Sequence, residues 1–362
     1  MKLLLLGFTK VKFMPYAHFY LQNIDKNKNE VHLVYWNRDL QQEDLSCMDG
    51  VKTIEFRCFL DDSVPKKAKL VSFFAYRRFV KKIIKKGSYD FIISLHSLPG
   101  LLVLDILKRR FRKQYILDYR DSTFEEKNRL FAKKIFTLAS NARLVFTSSD
   151  AFRKYLPSDN SVEVITSHNL LVDSLIHRDF EKSSSDKIRI AFWGLLRHTF
   201  LNKLIIEKLA NDTRFELHYY GRELACGVQL RTYCEEIRAN NIFFHGEYQP
   251  EDRYEFARNT DLLHNIYLDS NTLLAMGNKY YDGIIFRIPQ LCMPGSFMGE
   301  LIAKKGLGLV VDPSNGGFAD MIAEYYYNLN RKTFSINCNI ELDRVMKEYN
   351  YGQHVLNDMF NK

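Results

Sequence analysis

Short apolar runs alternate with amphipathic helical stretches along this chain, such as the stretch Gly100–Phe111. Such alternation predicts strand–helix units and parallel sheets. The apolar runs of the first half are Leu3–Leu6, Val31–Tyr35, Thr53–Phe56, Phe91–Leu95, Tyr115–Leu117, Leu144–Phe146 and Val162–Ile165. The polar segment 181–186 then interrupts the pattern and is typical of a linker. The runs after it are Ile188–Trp193, Phe215–Tyr220, Ile242–Phe244, Leu262–Tyr267, Gln290–Met293 and Leu307–Val311.

Two consecutive doubly wound, Rossmann-like α/β domains follow from this pattern, one on each side of the linker. We place them at residues 1–182 and 183–342, and we predict a last helix over about 343–360. Open parallel sheets bind ligands at the carboxyl ends of their strands. Two such sheets facing across a cleft would therefore suit a reaction with two substrates. Neither half has a GxGxxG or Walker motif, so we do not expect a dinucleotide or P-loop site.

The composition is that of a globular protein inside the cell. Hydrophobic residues make up 46% and charged residues 26%, which argues against disorder. The apolar start, Met1–Gly7, is too short for a secretory signal, and the longest stretch without charge, Phe91–Leu104, is too short to span a membrane. The six cysteines lack metal-ligand spacing, so we expect reduced thiols and a cytoplasmic location.

Positive charge is concentrated in one predicted helix. The net charge is +9, and residues 66–86 contain many lysines and arginines and no acid. The apolar residues of this segment recur at helical spacing, which predicts an amphipathic helix with a basic face. Such a helix can lie on an anionic membrane through Lys81, Lys82, Lys85 and Lys86, or it can simply be solvated. The chain has no nucleic-acid-binding signature, so we expect no nucleic-acid partner.

The segment from Gly277 to Pro289 is the most informative motif. It resembles the donor-binding signature of bacterial GT-B glycosyltransferases of the family-four type, with Lys279, Asp282 and Pro289 in register. The resemblance implies that Asp282 accepts the ribose hydroxyls of a nucleotide sugar and that Lys279 helps to bind the donor. A carboxylate can accept two adjacent hydroxyl groups at once. The alternative is a helix first-turn acid and a surface cation.

Other residues of the second half match the same family. Gly194, Arg197 and Lys203 follow the first strand of the second domain, where the resemblance implies cations for the donor's diphosphate. Gly295 and Ser296 precede a helix whose N–H groups could bind phosphate or sugar. No Asp-x-Asp motif is present, so we expect no metal and no cofactor besides the nucleotide-sugar substrate.

The first half offers candidates for the acceptor and for catalysis. Gly7 and Thr9 follow the first strand, where the family has a loop that touches its substrates. Arg120 and Asp121 belong to a segment that resembles the family's D-x-R-D, so Arg120 could meet an acceptor phosphate and Asp121 could orient a hydroxyl. The alternative is an ion pair that stabilises the strand end. His96 and His168 also follow strands and, with Asp121, are the candidate general bases.

One departure from the family pattern concerns the donor sugar. Leu274 occupies the place where family members often have a second acid, eight residues before the ribose carboxylate. The resemblance nevertheless implies a transferase that retains configuration and acts on a lipid-linked or saccharide acceptor in bacterial surface polysaccharide synthesis, at the inner face of the cell membrane. It also implies that the last helix packs back on the first domain. The alternative is a catalytically inactive relative that binds a partner in a polysaccharide assembly complex.

Overall fold

A computed structural model describes residues 1–60, 66–170 and 172–361. They form two compact units. The first contains Met1–His168 and the chain from Lys347 onwards, and the second contains Asn169–Met346. The predicted boundary after residue 182 therefore falls inside the second unit. The last helix, α12 (Arg331–Phe360), starts in the second unit and ends in the first.

Within the described residues, the first unit has a seven-stranded parallel sheet in the order β3-β2-β1-β4-β5-β6-β7. Its strands are β1 (Lys2–Leu6), β2 (Glu30–Asn37), β3 (Val51–Arg57), β4 (Phe91–Leu95), β5 (Tyr115–Tyr119), β6 (Leu144–Thr147) and β7 (Glu163–Thr166). Its helices are α1 (Ala17–Leu21), α2 (Lys66–Gly87), α3 (Ser97–Leu102), α4 (Leu104–Arg110) and α5 (Arg129–Ser140). Short 3-10 helices cover Val11–Phe13, Ser46–Met48 and Asp150–Tyr155.

The second unit has a six-stranded parallel sheet among its described residues, in the order β10-β9-β8-β11-β12-β13. Its strands are β8 (Ile188–Trp193), β9 (Phe215–Tyr220), β10 (Ile242–Gly246), β11 (Leu262–Asn265), β12 (Gln290–Cys292) and β13 (Gly308–Val310). Its helices are α6 (Thr199–Leu209), α7 (Leu224–Glu236), α8 (Arg253–Arg258), α9 (Asn278–Ile285), α10 (Phe297–Lys305) and α11 (Phe318–Asn328), besides the start of α12. Short 3-10 helices cover Val172–His177 and Pro250–Asp252.

Both sheets are buried on two faces, as parallel sheets are when helices cover them. Leu3 to Leu6 of β1 and the residues of β8 from Ile188 to Trp193 are almost wholly inaccessible to solvent. The sequence of such a strand is a continuous apolar run, because its side chains are buried on both faces of the sheet. The predicted fold class, two doubly wound α/β units, is confirmed. No helix in the described part of the chain is both long enough and apolar enough to span a bilayer.

One predicted helix is split in the structure. The stretch Gly100–Phe111 forms the end of α3 and then α4, with Val103 between them outside the helical region of φ and ψ. The carbonyl of Leu102 accepts a hydrogen bond from Nε of Arg77 on α2, at 2.8 Å. A side chain from another helix thus satisfies a carbonyl group at the end of α3, so the helix can stop there.

The strands of the second sheet end close together at its carboxyl edge. Gly194 after β8 donates its N–H to the carbonyl of Tyr220, and Gly221 after β9 donates its N–H to the carbonyl of Gly246. Gly194 and Gly221 have φ values of 134° and 137°, which favour glycine. A Cβ atom on Gly221 would lie 1.8 Å from the carbonyl oxygen of Gly194. The edge therefore requires glycine at residue 221.

We expect Gly221→Ala to lower the free energy of unfolding by about 2 kcal/mol or more, because a backbone oxygen would have to move to admit the new methyl group. Gly316→Ala is the matched control, since a Cβ atom there meets nothing within 4 Å. Chemical denaturation of both variants checks this, and equal stabilities would show that the close approach at residue 221 is not required.

Candidate functional site

The carboxyl edge of the second sheet brings together several of the predicted donor-binding residues. Lys279 and Asp282 lie one turn apart on α9, which follows β11. Nζ of Lys279 donates to the carbonyl oxygen of Trp193, the last residue of β8, at 3.0 Å. A Cβ atom on Gly194 would lie 3.7 Å from the same Nζ. Lys279 thus lies against the glycine turn that the sequence assigns to the donor.

Lys279 is a buried cation. Its Nζ lies 4.2 Å from the ring centre of Phe192 and 5.2 Å from that of Tyr267, and the side chain is almost inaccessible. Aromatic faces attract a cation, especially where water is excluded. Burial nevertheless lowers the pKa of Lys279 to about 8, while the nearby carboxylate of Asp282 opposes this shift. An added anion at this edge would further stabilise its charged form.

Asp282 is held by Arg253, a residue that the sequence analysis does not single out. Nη1 of Arg253, on α8, lies 3.0 Å from Oδ1 of Asp282, and both side chains are buried. Nε of Arg253 donates to the carbonyl of Pro250 at 2.8 Å, which fixes the guanidinium. Burial raises the pKa of Asp282 to about 6 in spite of Arg253 and Lys279. Within residues 1–60, 66–170 and 172–361, Oδ2 of Asp282 has no hydrogen-bond donor.

The position of Asp282 differs from the alternative interpretation. That interpretation makes Asp282 a first-turn acid, but α9 begins at Asn278, so Asp282 lies in the second turn. Every residue of α9 from Lys279 to Ile285 is buried. The helix is thus enclosed by its own unit, and its two charged residues need compensation from neighbouring elements.

A buried hydrogen-bond network holds the loop that bears Arg197. Nδ2 of Asn202 donates to the carbonyl oxygen of Arg197 at 2.7 Å. Its Oδ1 accepts from the hydroxyl of Tyr219 at 3.0 Å and lies 3.1 Å from Nε2 of His264. Nδ1 of His264 accepts the N–H of Ile266, so the proton of the neutral ring is on Nε2. Burial lowers the pKa of His264 to about 3. The network therefore stays neutral near neutral pH, while the Arg197 side chain remains exposed.

The other predicted donor residues differ in their surroundings. Lys203 lies with Nζ 4.6 Å from the ring centre of Tyr233 on α7. The hydroxyl of Ser296 donates to the carbonyl of Met293 and accepts the N–H of Gly299, so it caps α10. Gly295 has φ of 71° with open space around it. Donor binding by Lys203, Gly295 and Ser296 stays a prediction.

In the first unit, two candidate catalytic residues lie together at the carboxyl edge of the sheet. His96 follows β4 and Asp121 follows β5, and His96 Nε2 is 3.7 Å from Asp121 Oδ2. Nδ1 of His96 accepts the N–H of Leu98, so a neutral ring has its proton on Nε2. His96 also has an unusual φ of 118°. The arrangement makes His96 a hydrogen-bond donor and leaves Asp121, whose side chain is 52% exposed, as the better candidate base.

Arg120 lies in a buried ion pair. Its Nε donates to Oδ2 of Asp118 at 2.8 Å, its Nη2 donates to Ser167 at 3.0 Å, and its guanidinium covers the ring of Tyr16 at 4.5 Å. Burial raises the pKa of Asp118, although the charge of Arg120 opposes this shift. The ion pair of the alternative interpretation is therefore present. Contact of Arg120 with an acceptor stays a prediction.

His168 and the loop after β1 are also occupied by internal contacts. Nε2 of the buried His168 lies 2.7 Å from Oε2 of Glu348 on α12. Gly7 donates its N–H to Val34, and its carbonyl accepts the hydroxyl of Tyr76. The carbonyl of Thr9, in the same loop, accepts the N–H of Trp36. The catalytic role of His168 and the acceptor role of Gly7 and Thr9 stay predictions.

Known structures share this fold. No protein-family model matches the chain, and no curated protein matches it. Sucrose-phosphate synthase from Thermosynechococcus elongatus is 11% identical, with a TM-score of 0.69 over 100% of this chain and 98% of that one. Anabaena HepE, solved with UDP-glucose, is 16% identical, with a TM-score of 0.68 over 99% of this chain and 100% of that one. The lipopolysaccharide outer core galactosyltransferase WaaB is 13% identical, with a TM-score of 0.62 over 97% of this chain and 99% of that one.

These likenesses span nearly the whole length of both chains, so the two units together have the GT-B glycosyltransferase fold. At such low identity the comparison shows the fold alone. The family-four subtype, the reaction and the substrates depend on the residues of the site.

We expect Arg253→Met to destabilise the protein in a pH-dependent way. An acid whose pKa is higher in the folded state than in the unfolded chain loses its contribution to stability as the pH rises between the two values. For Asp282 that window runs from 3.8 to about 6, and removal of Arg253 extends it upward. The loss should be larger at pH 7.5 than at pH 5, where Asp282 is mostly protonated. Linkage limits the difference to about 2 kcal/mol, since each pH unit above about 6 contributes about 1.4 kcal/mol.

Urea denaturation across this pH range measures the effect. Arg258→Met is the control, because Arg258 is exposed at the end of the same helix. A loss of stability that is the same at pH 5 and pH 7.5 would contradict the coupling between Arg253 and Asp282.

Proposed function

We propose that this protein is a glycosyltransferase that moves a sugar from a nucleoside diphosphate sugar to a saccharide acceptor. The observation that supports this most is the cluster at the carboxyl edge of the second sheet. There the second oxygen of Asp282, the buried cation of Lys279 and the Gly194 turn occur together, with Arg197 exposed a few residues after Gly194 on a loop that Asn202 holds by a hydrogen bond. Parallel sheets of this kind bind nucleotides at that edge.

The donor residues have complementary roles in this proposal. Oδ2 of Asp282 accepts a ribose hydroxyl, while Arg253 occupies Oδ1 and keeps the carboxylate ionised. Arg197 and Lys279 compensate the charge of the diphosphate as it leaves. We expect no metal to be needed, because cations and helix N-termini can take over that compensation. Gly295 permits close approach of the donor to the start of α10.

We propose retention of configuration at the transferred sugar, as the resemblance implies. With retention, the leaving diphosphate would itself accept the acceptor's proton on the same face. Leu274, in place of the acid that family members often have near the donor sugar, argues against this mechanism. Inversion would instead need a base, and Asp121 beside His96 is the better candidate for one. The anomeric configuration of the product, measured by NMR, distinguishes the two.

The second candidate function is a catalytically inactive relative that binds a partner in polysaccharide assembly. Leu274 at the position of the missing acid favours it, as does a loop after β1 whose Gly7 backbone groups are already hydrogen-bonded. Hydrolysis or transfer of a sugar from a nucleotide sugar separates the two candidates. Turnover that depends on an added saccharide acceptor would identify the enzyme.

We expect one nucleoside diphosphate among UDP, GDP, ADP and dTDP, with CMP as a monophosphate comparison, to raise the unfolding midpoint. A ligand at 100 times its dissociation constant adds about 2.7 kcal/mol of stability. Asp282→Asn and Arg197→Ala should abolish the shift, because they remove the ribose acceptor and the diphosphate cation. Thermal denaturation with each nucleotide measures this.

The control for this experiment is Arg258→Ala, which removes an exposed arginine elsewhere in the second unit. It should bind like the wild-type protein. No shift with any nucleotide would favour the inactive relative, and a shift that survives in Asp282→Asn would place the ribose elsewhere.

We also propose that the acceptor is lipid-linked and that the protein acts at the inner face of the cell membrane. The support is α2, which buries Tyr76, Val80 and Ile84. Its outer face presents apolar residues in the first turns and cations in the last ones. The exposed residues of this face are Leu70, Val71, Phe74, Arg78, Lys82, Lys85 and Lys86. A mixed apolar and basic face fits an anionic bilayer surface.

Reversal of Lys82, Lys85 and Lys86 to Glu should release the protein from vesicles that contain phosphatidylglycerol. At about 1 kcal/mol per lysine, binding should fall at least about a hundredfold. Lys81 is left unchanged because it pairs with Asp105. Co-sedimentation measures the bound fraction.

The control reverses three exposed cations of the second unit, Arg238, Lys304 and Lys332, and so changes the net charge equally. If both triple variants bind vesicles like the wild type, α2 is a solvated helix and the membrane proposal is wrong.

A further inference from the structure

The amino-terminal edge of the second sheet contains a cavity of about 440 Å³ that the proposed transfer reaction does not use. It is formed by the segment that precedes β8, by the starts of β8 and β11, and by α11 and α12. We call it the basic cavity. Its charged lining residues are Lys182, Arg189, Asp261, Arg287 and Arg331.

Cations exceed anions in the basic cavity. Arg189 holds Asp261 in a two-point ion pair, with Nε 2.9 Å from Oδ2 and Nη2 3.2 Å from Oδ1. Nζ of Lys182 lies 3.9 Å from the same carboxylate and donates to the carbonyl of Thr260 at 2.8 Å. Two cations therefore share one carboxylate.

Of the other two cations, only Arg331 adds to this net positive charge. Arg287 pairs with Asp179 at 3.2 Å, so that pair is neutral. Arg331 lies over the ring of Tyr326 at 4.7 Å and has no acidic partner among the described residues. Burial, together with Arg331 and Arg189, lowers the pKa of Lys182 to about 8, although Asp261 opposes the shift. A lysine whose charge is disfavoured inside a cavity is typical of a site that gains from an anion.

We propose that the basic cavity binds a small phosphorylated ligand through Lys182 and Arg331. A phosphoryl dianion matches the excess of two positive charges on the lining, and Arg and Lys are its usual protein donors. The hydroxyl groups of Ser185 and Ser335 line the same cavity and can donate to phosphoryl oxygens. The rings of Tyr326 and Phe334 provide an apolar wall for the rest of such a ligand.

The basic cavity is separate from the donor residues of the same unit. Lys182 lies in the segment that precedes β8 and Arg189 lies at the start of this strand, whereas Gly194 follows its end. The strand has six residues, so the two edges are about 20 Å apart. The inference does not depend on the proposed transfer reaction, and a ligand here would leave the carboxyl edge open.

Titration calorimetry with inorganic phosphate tests the proposal. The background is Arg197→Gln, which removes an exposed cation that follows β8 at the carboxyl edge, so that phosphate binding to this residue does not contribute. At pH 8 we expect saturable binding that chloride at equal ionic strength does not reproduce. Because a bound anion raises the pKa of Lys182, binding should take up protons, which appears as different heats in buffers with different ionisation enthalpies.

Lys182→Gln and Arg331→Gln should each raise the dissociation constant for phosphate at least tenfold, and Lys182→Gln should also abolish the proton uptake. Lys332→Gln is the matched control, since Lys332 is exposed beside Arg331 and does not line the cavity. Absence of saturable binding, or an equal loss in Lys332→Gln, would overturn the proposal. Thermal denaturation of each variant verifies that it is folded.

Discussion

Compensation of buried charge is the constraint on which the carboxyl edge of the second sheet depends. Helix α9 is enclosed along its length, yet it contains Lys279 and Asp282. A buried ion without a partner is very costly, so each needs fixed polar neighbours. Arg253 donates a hydrogen bond to one oxygen of Asp282, and the carbonyl of Trp193 accepts one from Lys279. The compensation remains incomplete: burial still shifts the pKa of both groups toward their neutral forms. A polar ligand at this edge would supply what the protein does not.

Both edges of this sheet have a cation whose pKa is lowered to about 8, but the compensation differs. Lys279 at the carboxyl edge has aromatic faces, a backbone carbonyl and a nearby carboxylate. Lys182 at the amino edge shares Asp261 with Arg189 and has Arg331 as a further positive neighbour. The first arrangement would suit a ligand with hydroxyl groups as well as phosphate, because Oδ2 of Asp282 can accept hydrogen bonds. The second offers mainly donors, which is the reason for proposing a phosphorylated ligand there.

The strands and the helix that bears Lys279 and Asp282 could be predicted from the sequence, because both depend on local order. Apolar runs such as Leu3–Leu6 mark strands wherever both faces of a sheet are covered. The spacing of Lys279 and Asp282 marks one face of a helix. Arg253 could not be found in this way, since it meets Asp282 only through the packing of α8 on α9 and no local pattern links them. The split between α3 and α4 could not be found from local pattern either, because it involves a hydrogen bond from Arg77 of α2 to the carbonyl of Leu102 at the end of α3.

The chemistry available in the first unit depends on which nitrogen of His96 bears the proton. The sequence alone does not distinguish His96 from Asp121 as the candidate base. The structure separates them, because the N–H of Leu98 occupies Nδ1 and the proton of a neutral ring must then be on Nε2. A ring held in this tautomer can donate to a substrate oxygen or to Asp121, but it has no lone pair directed outward. His168 is buried against Glu348. Of the two candidates, Asp121 is therefore better suited than His96 to the role of a base, and that role stays a prediction.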